Sequence, residues 1–205
     1  MVLRSRGARN KRCTRRTARV ATLLLLTGVL LSVACGNAEA RVGEWVKGRA
    51  MPSARTALSA VVVDGTIYAI GGVPPARDRE LATVDAYEIG ADEWTPRADM
   101  LDARWGFPAA ALAGAVFVAG GLGGRGSFIP NVEAYDPRTD TWRKRAKLTH
   151  PPHGRHSLAL AVVKRTIYAM GGLPGLHGAT RAAEVESYDP RLDEWTQRAD
   201  MPTAR

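Results

Sequence analysis

The sequence predicts an all-β protein assembled from repeated four-stranded units, and three observations carry that prediction. Trp45, Trp94, Trp142 and Trp195 recur at intervals of 49, 48 and 53 residues, and each is followed six residues later by Met51, Met100, Leu148 or Met201. The glycine pairs Gly71-Gly72, Gly120-Gly121 and Gly171-Gly172 recur at intervals of 49 and 51. Tyr87, Tyr135 and Tyr188 each precede a tryptophan by seven residues. Several landmarks holding register over a period near fifty residues mark a repeat architecture. The segments between them read as strands, and no stretch after residue 40 combines a helical period with caps.

In chain order, residues 1–40 read as an address. They hold eight basic residues against one acid, Glu39, and an apolar run from Val20 to Ala34. A basic stretch, an apolar run of that length and a small-residue exit make a secretory signal. Ala38-Glu39-Ala40 offers one exit before Arg41. Ser32-Val33-Ala34-Cys35 resembles a bacterial lipobox, in which Cys35 would be lipidated, and an uncleaved anchor is the third reading. Each exit places residues 41–205 on the far side of a membrane: periplasmic, extracellular, or anchored there through the N-terminus. The charge of +9 belongs mostly to this address, since the other 165 residues hold 21 basic and 19 acidic side chains. The reason to expect a nucleic-acid partner therefore lapses. Both cysteines, Cys13 and Cys35, lie before residue 36, which excludes a disulfide-stapled scaffold.

Arg41 to Ala50 reads as a lone fourth strand. The first full unit then begins with Ala60–Val63, a turn at Asp64-Gly65, and Thr66–Ile70 ending on the glycine pair. The second has Ala109–Ala113, Gly114 and Ala115–Ala119. The third has Leu158–Val163 and Thr166–Met170 around Lys164-Arg165, a poor pair for positive φ that predicts a different or looser turn. A third strand carries the tyrosine (Val132–Tyr135, Val185–Tyr188), and a fourth carries the tryptophan. The repeat boundaries fall near 51–100, 101–148 and 149–201, with Met201–Arg205 opening a further unit.

Four strands per fifty-residue unit make a propeller blade, and here the sequence resembles the kelch family. The resemblance covers residues 41–205. It rests on IYAIGG (67–72), VFVAGG (116–121), IYAMGG (167–172), the Tyr-x6-Trp pairs, and the MPSAR, MLDAR and MPTAR segments. It implies a kelch-type β-propeller of about three four-stranded blades plus the N-terminal lone strand. Gly71, Gly72, Tyr87, Trp94, Gly120, Gly121, Tyr135, Trp142, Gly171, Gly172, Tyr188 and Trp195 form its structural signature: rings fill space between sheets, and glycines allow close backbone approach. Closed propellers need at least four blades. The expectation is accordingly part of a chain of about 350 residues at about fifty per repeat, the alternative being two half-rings that associate through their open edges into a six-bladed ring.

Three constellations are candidates for chemistry. Gly121-Leu122-Gly123-Gly124-Arg125-Gly126 matches a dinucleotide fingerprint, but the chain returns to strand at Val132, leaving no helix N-terminus for a pyrophosphate. His150, His153 and His156 sit three apart in a proline-containing stretch. Polyproline geometry would spread them too far along the axis for one metal, so the reading is an exposed loop with no metal site. Arg55, Arg104, Arg155 and Arg205 open the first strand of each unit. In kelch propellers that strand is innermost, so the resemblance places Arg55, Arg104, Trp105, Arg155 and His156 at the mouth of the central channel as ligand contacts. A repeated packing or salt-bridge role for the arginines is the competing reading.

The expected function is a non-catalytic, exported module that recognises a protein or glycan, with no cofactor. The membrane enters only through the N-terminal segment, and the open edges allow self-association. The alternative is a carbohydrate-active kelch enzyme such as a sialic-acid mutarotase or epimerase. Copper radical oxidases of this family need a Cys cross-linked to Tyr, and residues 36–205 contain no Cys.

Overall fold

The computed structural model describes residues 45–76, 78–175 and 181–205. The segment expected to act as an export signal and Cys35 lie outside the described residues, among which no helix is long and apolar enough to cross a membrane. From Val46 to Arg205 the chain forms one compact unit of three four-stranded antiparallel sheets, each a meander in which every strand pairs with the next. The first blade is β1 (Ser59–Val63), β2 (Thr66–Ile70), β3 (Val84–Glu88) and β4 (Glu93–Arg97). The second is β5 (Ala109–Leu112), β6 (Ala115–Ala119), β7 (Val132–Asp136) and β8 (Thr141–Arg145). The third is β9 (Ala159–Val163), β10 (Thr166–Met170), β11 (Val185–Asp189) and β12 (Glu194–Gln197). Strands β1, β5 and β9 lie side by side, so the first strand of each blade is innermost.

The sheets adhere through alternating side chains, the half-buried pattern that a period of two produces. Val63, Tyr68 and Ile70 of the first blade pack on Val116, Val118, Tyr135 and Trp142 of the second. Leu112 and Phe117 of the second pack on Ile167 and Tyr188 of the third. Each junction carries one aromatic pair, Tyr68–Tyr135 at 5.7 Å and Phe117–Tyr188 at 5.9 Å between centroids. Such pairs contribute beyond the area they bury.

Each tyrosine–tryptophan pair also closes a polar clamp on its neighbour. Tyr135 Oη donates to Asp140 at 2.6 Å, Asp140 accepts the Ala98 N–H at 2.9 Å, and Trp142 Nε1 donates to the Ala98 carbonyl at 2.8 Å. Tyr188, Asp193 and Trp195 hold Ala146 in the same way. Tyr87, Asp92 and Trp94 hold Arg49. Asp92, Asp140 and Asp193 all take left-handed φ values of 52–55°, a conformation that aspartate tolerates better than most residues. Residues 45–50, expected as a lone fourth strand, carry no strand. They have no ladder partner among the described residues, and Arg49 alone is fixed by its clamp.

The glycine pair follows from the packing. A Cβ on Gly71 would lie 2.7 Å from the Arg104 carbonyl of the next blade, and one on Gly72 would lie 2.6 Å from the Thr56 carbonyl. The two φ values are +60° and +97°, so a side chain there meets both a clash and backbone strain. The β9–β10 turn keeps the two-residue length and register of its counterparts, Val163 pairing Thr166 as Val63 pairs Thr66. It differs where the sequence predicted: Lys164 adopts φ 57°, but Arg165 does not follow Gly65 and Gly114 into positive φ.

Candidate functional site

The arginines expected at the channel mouth point inward instead. Arg104 is fully buried and its guanidinium pairs with the equally buried Glu133 of β7. It also donates to the carbonyls of Gly120 at 3.0 Å and Asn131 at 2.9 Å. Arg155 meets Glu186 of β11 at 3.2 Å with both side chains buried. Arg55 pairs with Asp85 of β3 and donates to the Thr83 carbonyl at 3.1 Å. The acids reach further: Glu133 accepts the Leu101 and Asp102 N–H groups, and Glu186 accepts the Thr149 N–H and hydroxyl. Each pair thus ties the third strand of its blade to the segment entering that blade. Burial lowers the pKa of Arg104 and raises that of Glu133, and each charge is a principal offset for the other. Such sites favour arginine, whose planar fork satisfies several acceptors at once. Arg55, Arg104 and Arg155 are therefore ligands of their own blades, and guanidiniums sunk among these acceptors offer nothing to a carboxylate or sulfate at the mouth.

The residue after each arginine does reach the rim. Thr56, Trp105 and His156 bridge to Val73, Leu122 and Leu173, two residues beyond the start of each glycine pair. One residue further on, Ala57, Gly106 and Ser157 share left-handed φ values of 53–62°. Gly106 N–H donates to the Ala57 carbonyl at 3.0 Å, and Ser157 N–H donates to the Gly106 carbonyl at 2.7 Å. This ladder runs from blade to blade and fixes the backbone under the three rim residues.

Above the ladder lies a recess of about 210 Å³ lined by Thr56, Ala57, Val73, Arg79, Glu80, Trp105 and Gly126. Trp105 stands 6.3 Å from His156 between ring centroids, and Phe128 lies 5.9 Å from His156. His156 is buried, its Nδ1 is 3.0 Å from Ser157 Oγ, and desolvation lowers its pKa against a smaller opposing effect of the Gly175 backbone. Arg79 and Arg125 are exposed, and Glu80 and Phe128 are half-buried. The mouth therefore offers aromatic surface flanked by two exposed cations and one carboxylate. This is a recognition surface of the kind in which a few polar groups orient an apolar contact.

Of the residues expected at the site, Trp105 and His156 come together at the rim, while the three arginines do not. Thr56 joins them at the same repeat position, and Arg79, Glu80 and Phe128 join without a signal in the repeat, because they sit in loops after the glycine pairs, where no spacing recurs. The histidines separate: His153 is exposed, and His150 Nδ1 stands 3.8 Å from Glu186. A turn at Gly154, with φ 91° and its N–H donating to the Pro151 carbonyl, replaces the expected polyproline stretch. The glycine-rich segment forms a single 3-10 turn, Gly124–Gly126, with Arg125 at φ 56°.

Comparison with known proteins agrees with this geometry. The Kelch motif family matches residues 54–101, 103–149 and 154–202. Kelch-like protein 35 of Mus musculus is 29% identical over 78% of this chain and 25% of its own length. Kelch-like protein 23 of Homo sapiens is 30% identical over 77% of this chain and 28% of its own length. An F-box/kelch-repeat protein of Arabidopsis thaliana is 34% identical over 58% of this chain and 31% of its own. The chain thus spans between a quarter and a third of these relatives. The solved structure of YjhT superposes with a TM-score of 0.66 at 18% identity, covering 78% of this chain and 56% of that one. That likeness concerns the fold.

Proposed function

Since the chain belongs to the kelch-repeat family and folds into β-propeller blades, we propose that it is a non-catalytic interaction module whose contact site is the rim recess around Trp105. One observation carries the reading. The glycine pairs and Arg55, Arg104 and Arg155, which recur from blade to blade, are taken up by packing and buried pairing, whereas Thr56, Trp105 and His156 occupy one backbone position, differ in chemistry, and stand on one backbone ladder. A scaffold that holds its backbone constant and varies three adjacent side chains is built for recognition.

The ligand that fits best is an extended polypeptide segment. Trp105 and Phe128 supply the apolar contact, Arg79 and Arg125 pair with carboxylates, and Glu80 pairs with a basic or amide group. Export of residues 41–205 is part of the proposal and rests on the basic and apolar pattern of residues 1–40. The test is selection from a displayed peptide library in parallel with a glycan array, followed by affinity measurement on Trp105→Ala. The expected result is a peptide ligand whose affinity falls at least about tenfold in the variant, as for an aromatic anchor, with unchanged thermal stability. A ligand bound equally well by Trp105→Ala, or a glycan as the sole ligand, would count against the reading. Cell fractionation that leaves the protein in the cytoplasm would remove export from it.

A further inference from the structure

The outermost strand of the second blade departs from its counterparts in charge. Residues 141–147 hold four basic side chains, Arg143, Lys144, Arg145 and Lys147, and no acid, a net of +4. The matching residues 93–99 hold Arg97 against Glu93 and Asp99, and residues 194–200 hold Arg198 against Glu194 and Asp200, a net of −1 each. The tryptophan, the arginine at Arg145 and the alanine after it keep their places in all three segments, so the repeat accounts for Arg145. It does not account for Arg143, Lys144 and Lys147, all of which are exposed. The second blade packs against a neighbour on either side, and β8 is the last strand of its sheet.

These cations line a backbone edge. β8 pairs with β7 on one side, and among the described residues its other side pairs with no strand. In the register, Arg143 lies opposite Ala134, Lys144 opposite Glu133 and Arg145 opposite Val132. Ala134 packs with Ile167 and Tyr188 of the third blade. Arg143 and Arg145 therefore share the face toward that blade, about 7 Å apart along the strand, and Lys144 takes the opposite face. Beside them lies a recess of about 250 Å³, lined in part by Asp136, Arg138, Thr141, Arg143 and Arg145. Arg138 is held by Asp136 at 3.2 Å. Arg143 and Arg145 have no ion-pair partner among the described residues.

We infer that this edge takes an acidic, extended polypeptide segment as an added strand. A free ladder edge supplies backbone hydrogen bonds, and side chains of the added strand fall on alternate faces. Carboxylates on one face meet Arg143 and Arg145, whose planar forks suit them, and those on the other meet Lys144. Cations on an edge discourage strand pairing in general, and a strand of opposite charge reverses that effect. β4 carries Pro96 at the position of Lys144, a residue that blunts an edge without charge. Between residues 136 and 148 no large apolar or aromatic side chain is exposed, so the patch lacks the groups that stack on bases or enter a bilayer. A polypeptide thus fits better than single-stranded nucleic acid or a membrane. The site shares no residue with the rim recess and does not rest on the reading of that recess.

Fluorescence anisotropy of the labelled peptide Thr-Glu-Glu-Val-Glu-Glu-Val-Thr, which presents carboxylates on both faces of a strand, reads binding to the purified full-length chain. The variant Arg143→Thr/Lys144→Gln/Lys147→Asp gives the edge the residues found at Thr196, Gln197 and Asp200. The basic residues of 1–40 are the same in both proteins, so the difference between them reports the edge alone. The variant should bind at least about tenfold more weakly, with unchanged circular dichroism and thermal midpoint because the three positions are exposed. The same peptide with every backbone amide N-methylated keeps its charge but cannot donate to the ladder, and it should also bind at least about tenfold more weakly. Equal binding of the unmodified peptide by parent and variant overturns the site. Equal binding of the N-methylated peptide rules out strand addition. Heparin, or vesicles of phosphatidylserine and phosphatidylcholine, bound more tightly than the peptide and lost in the same variant would refute the choice of a polypeptide.

Discussion

Replacing Arg104 by methionine removes a guanidinium that no solvent reaches and leaves Glu133 buried with its charge uncompensated. Breaking a buried pair from one side costs about 3–5 kcal/mol, a large part of the roughly 5–15 kcal/mol that holds a domain folded. At about 2 kcal/mol per molar urea for a domain of modest size, the unfolding midpoint should fall by ~1.5–2.5 M, followed by tryptophan fluorescence. The companion variant Arg104→Met/Glu133→Gln is neutral at both positions, and its amide oxygen still accepts one of the Leu101 and Asp102 N–H groups, which Glu133 holds on separate oxygens. It should recover about 2 kcal/mol or more of the loss, because the uncompensated charge accounts for most of the cost. Arg155→Met should match Arg104→Met, since both members of that pair are also fully buried. Arg55→Met should cost less, because the Asp85 side chain is 13% exposed and water can solvate it. A parental midpoint in Arg104→Met, or a double variant no better than the single one, would refute the account. Loss of a mouth ligand at unchanged stability would return the arginine to the binding site.

Gly72→Ala should destabilise by more than about 2 kcal/mol through left-handed strain and contact with the Thr56 carbonyl, measured as the shift in thermal midpoint. Trp142→Phe should lose about 1–3 kcal/mol with the bond to the Ala98 carbonyl; Trp94→Phe should lose less, since its bond to Arg49 is exposed. His156 has a folded pKa below its ordinary value, so the unfolded chain binds more protons in the interval between the two. Stability should therefore fall as pH drops below about 6.5, the unfolded value, and level off under the lowered folded value. His156→Gln should flatten that segment of the pH–stability curve.

The period of fifty residues made the blades legible, because the glycine pairs, tyrosines and tryptophans each satisfy a steric or hydrogen-bonding demand that recurs at every junction. The inner strands followed from their apolar runs, although those runs are not buried throughout, since Val62 of β1 and Val162 and Val163 of β9 are exposed. The partners of the arginines were also written in the chain: Asp85, Glu133 and Glu186 each stand two residues before a tyrosine. An acid held at one register of an otherwise apolar strand signals a buried countercharge. The aspartates nearest each tryptophan (Asp92, Asp140 and Asp193) belong to the clamps instead. The rim residues were only half legible. Trp105 and His156 could be counted from the arginines, but Arg79, Glu80 and Phe128 lie on loops whose lengths differ between blades, so no periodicity places them.

Position relative to the blade junctions also links stability to recognition. The clamp and the arginine–acid pair hold segments that pass from one blade to the next, so the array is stabilised mainly between nearest neighbours, as in other repeat proteins. The rim recess draws Thr56 and Val73 from the first blade and Trp105 and Gly126 from the second, so it straddles a junction. A ligand that spans it contacts both blades and exists only while they are docked. By mass action it then stabilises that junction in proportion to its affinity, whereas a ligand confined to one blade would not. Hydrogen exchange separates the two cases: a bound ligand should slow exchange at Gly106, whose N–H crosses the junction to Ala57, more than at Ser157. Equal protection of both amides would mean that the ligand does not bridge the first and second blades.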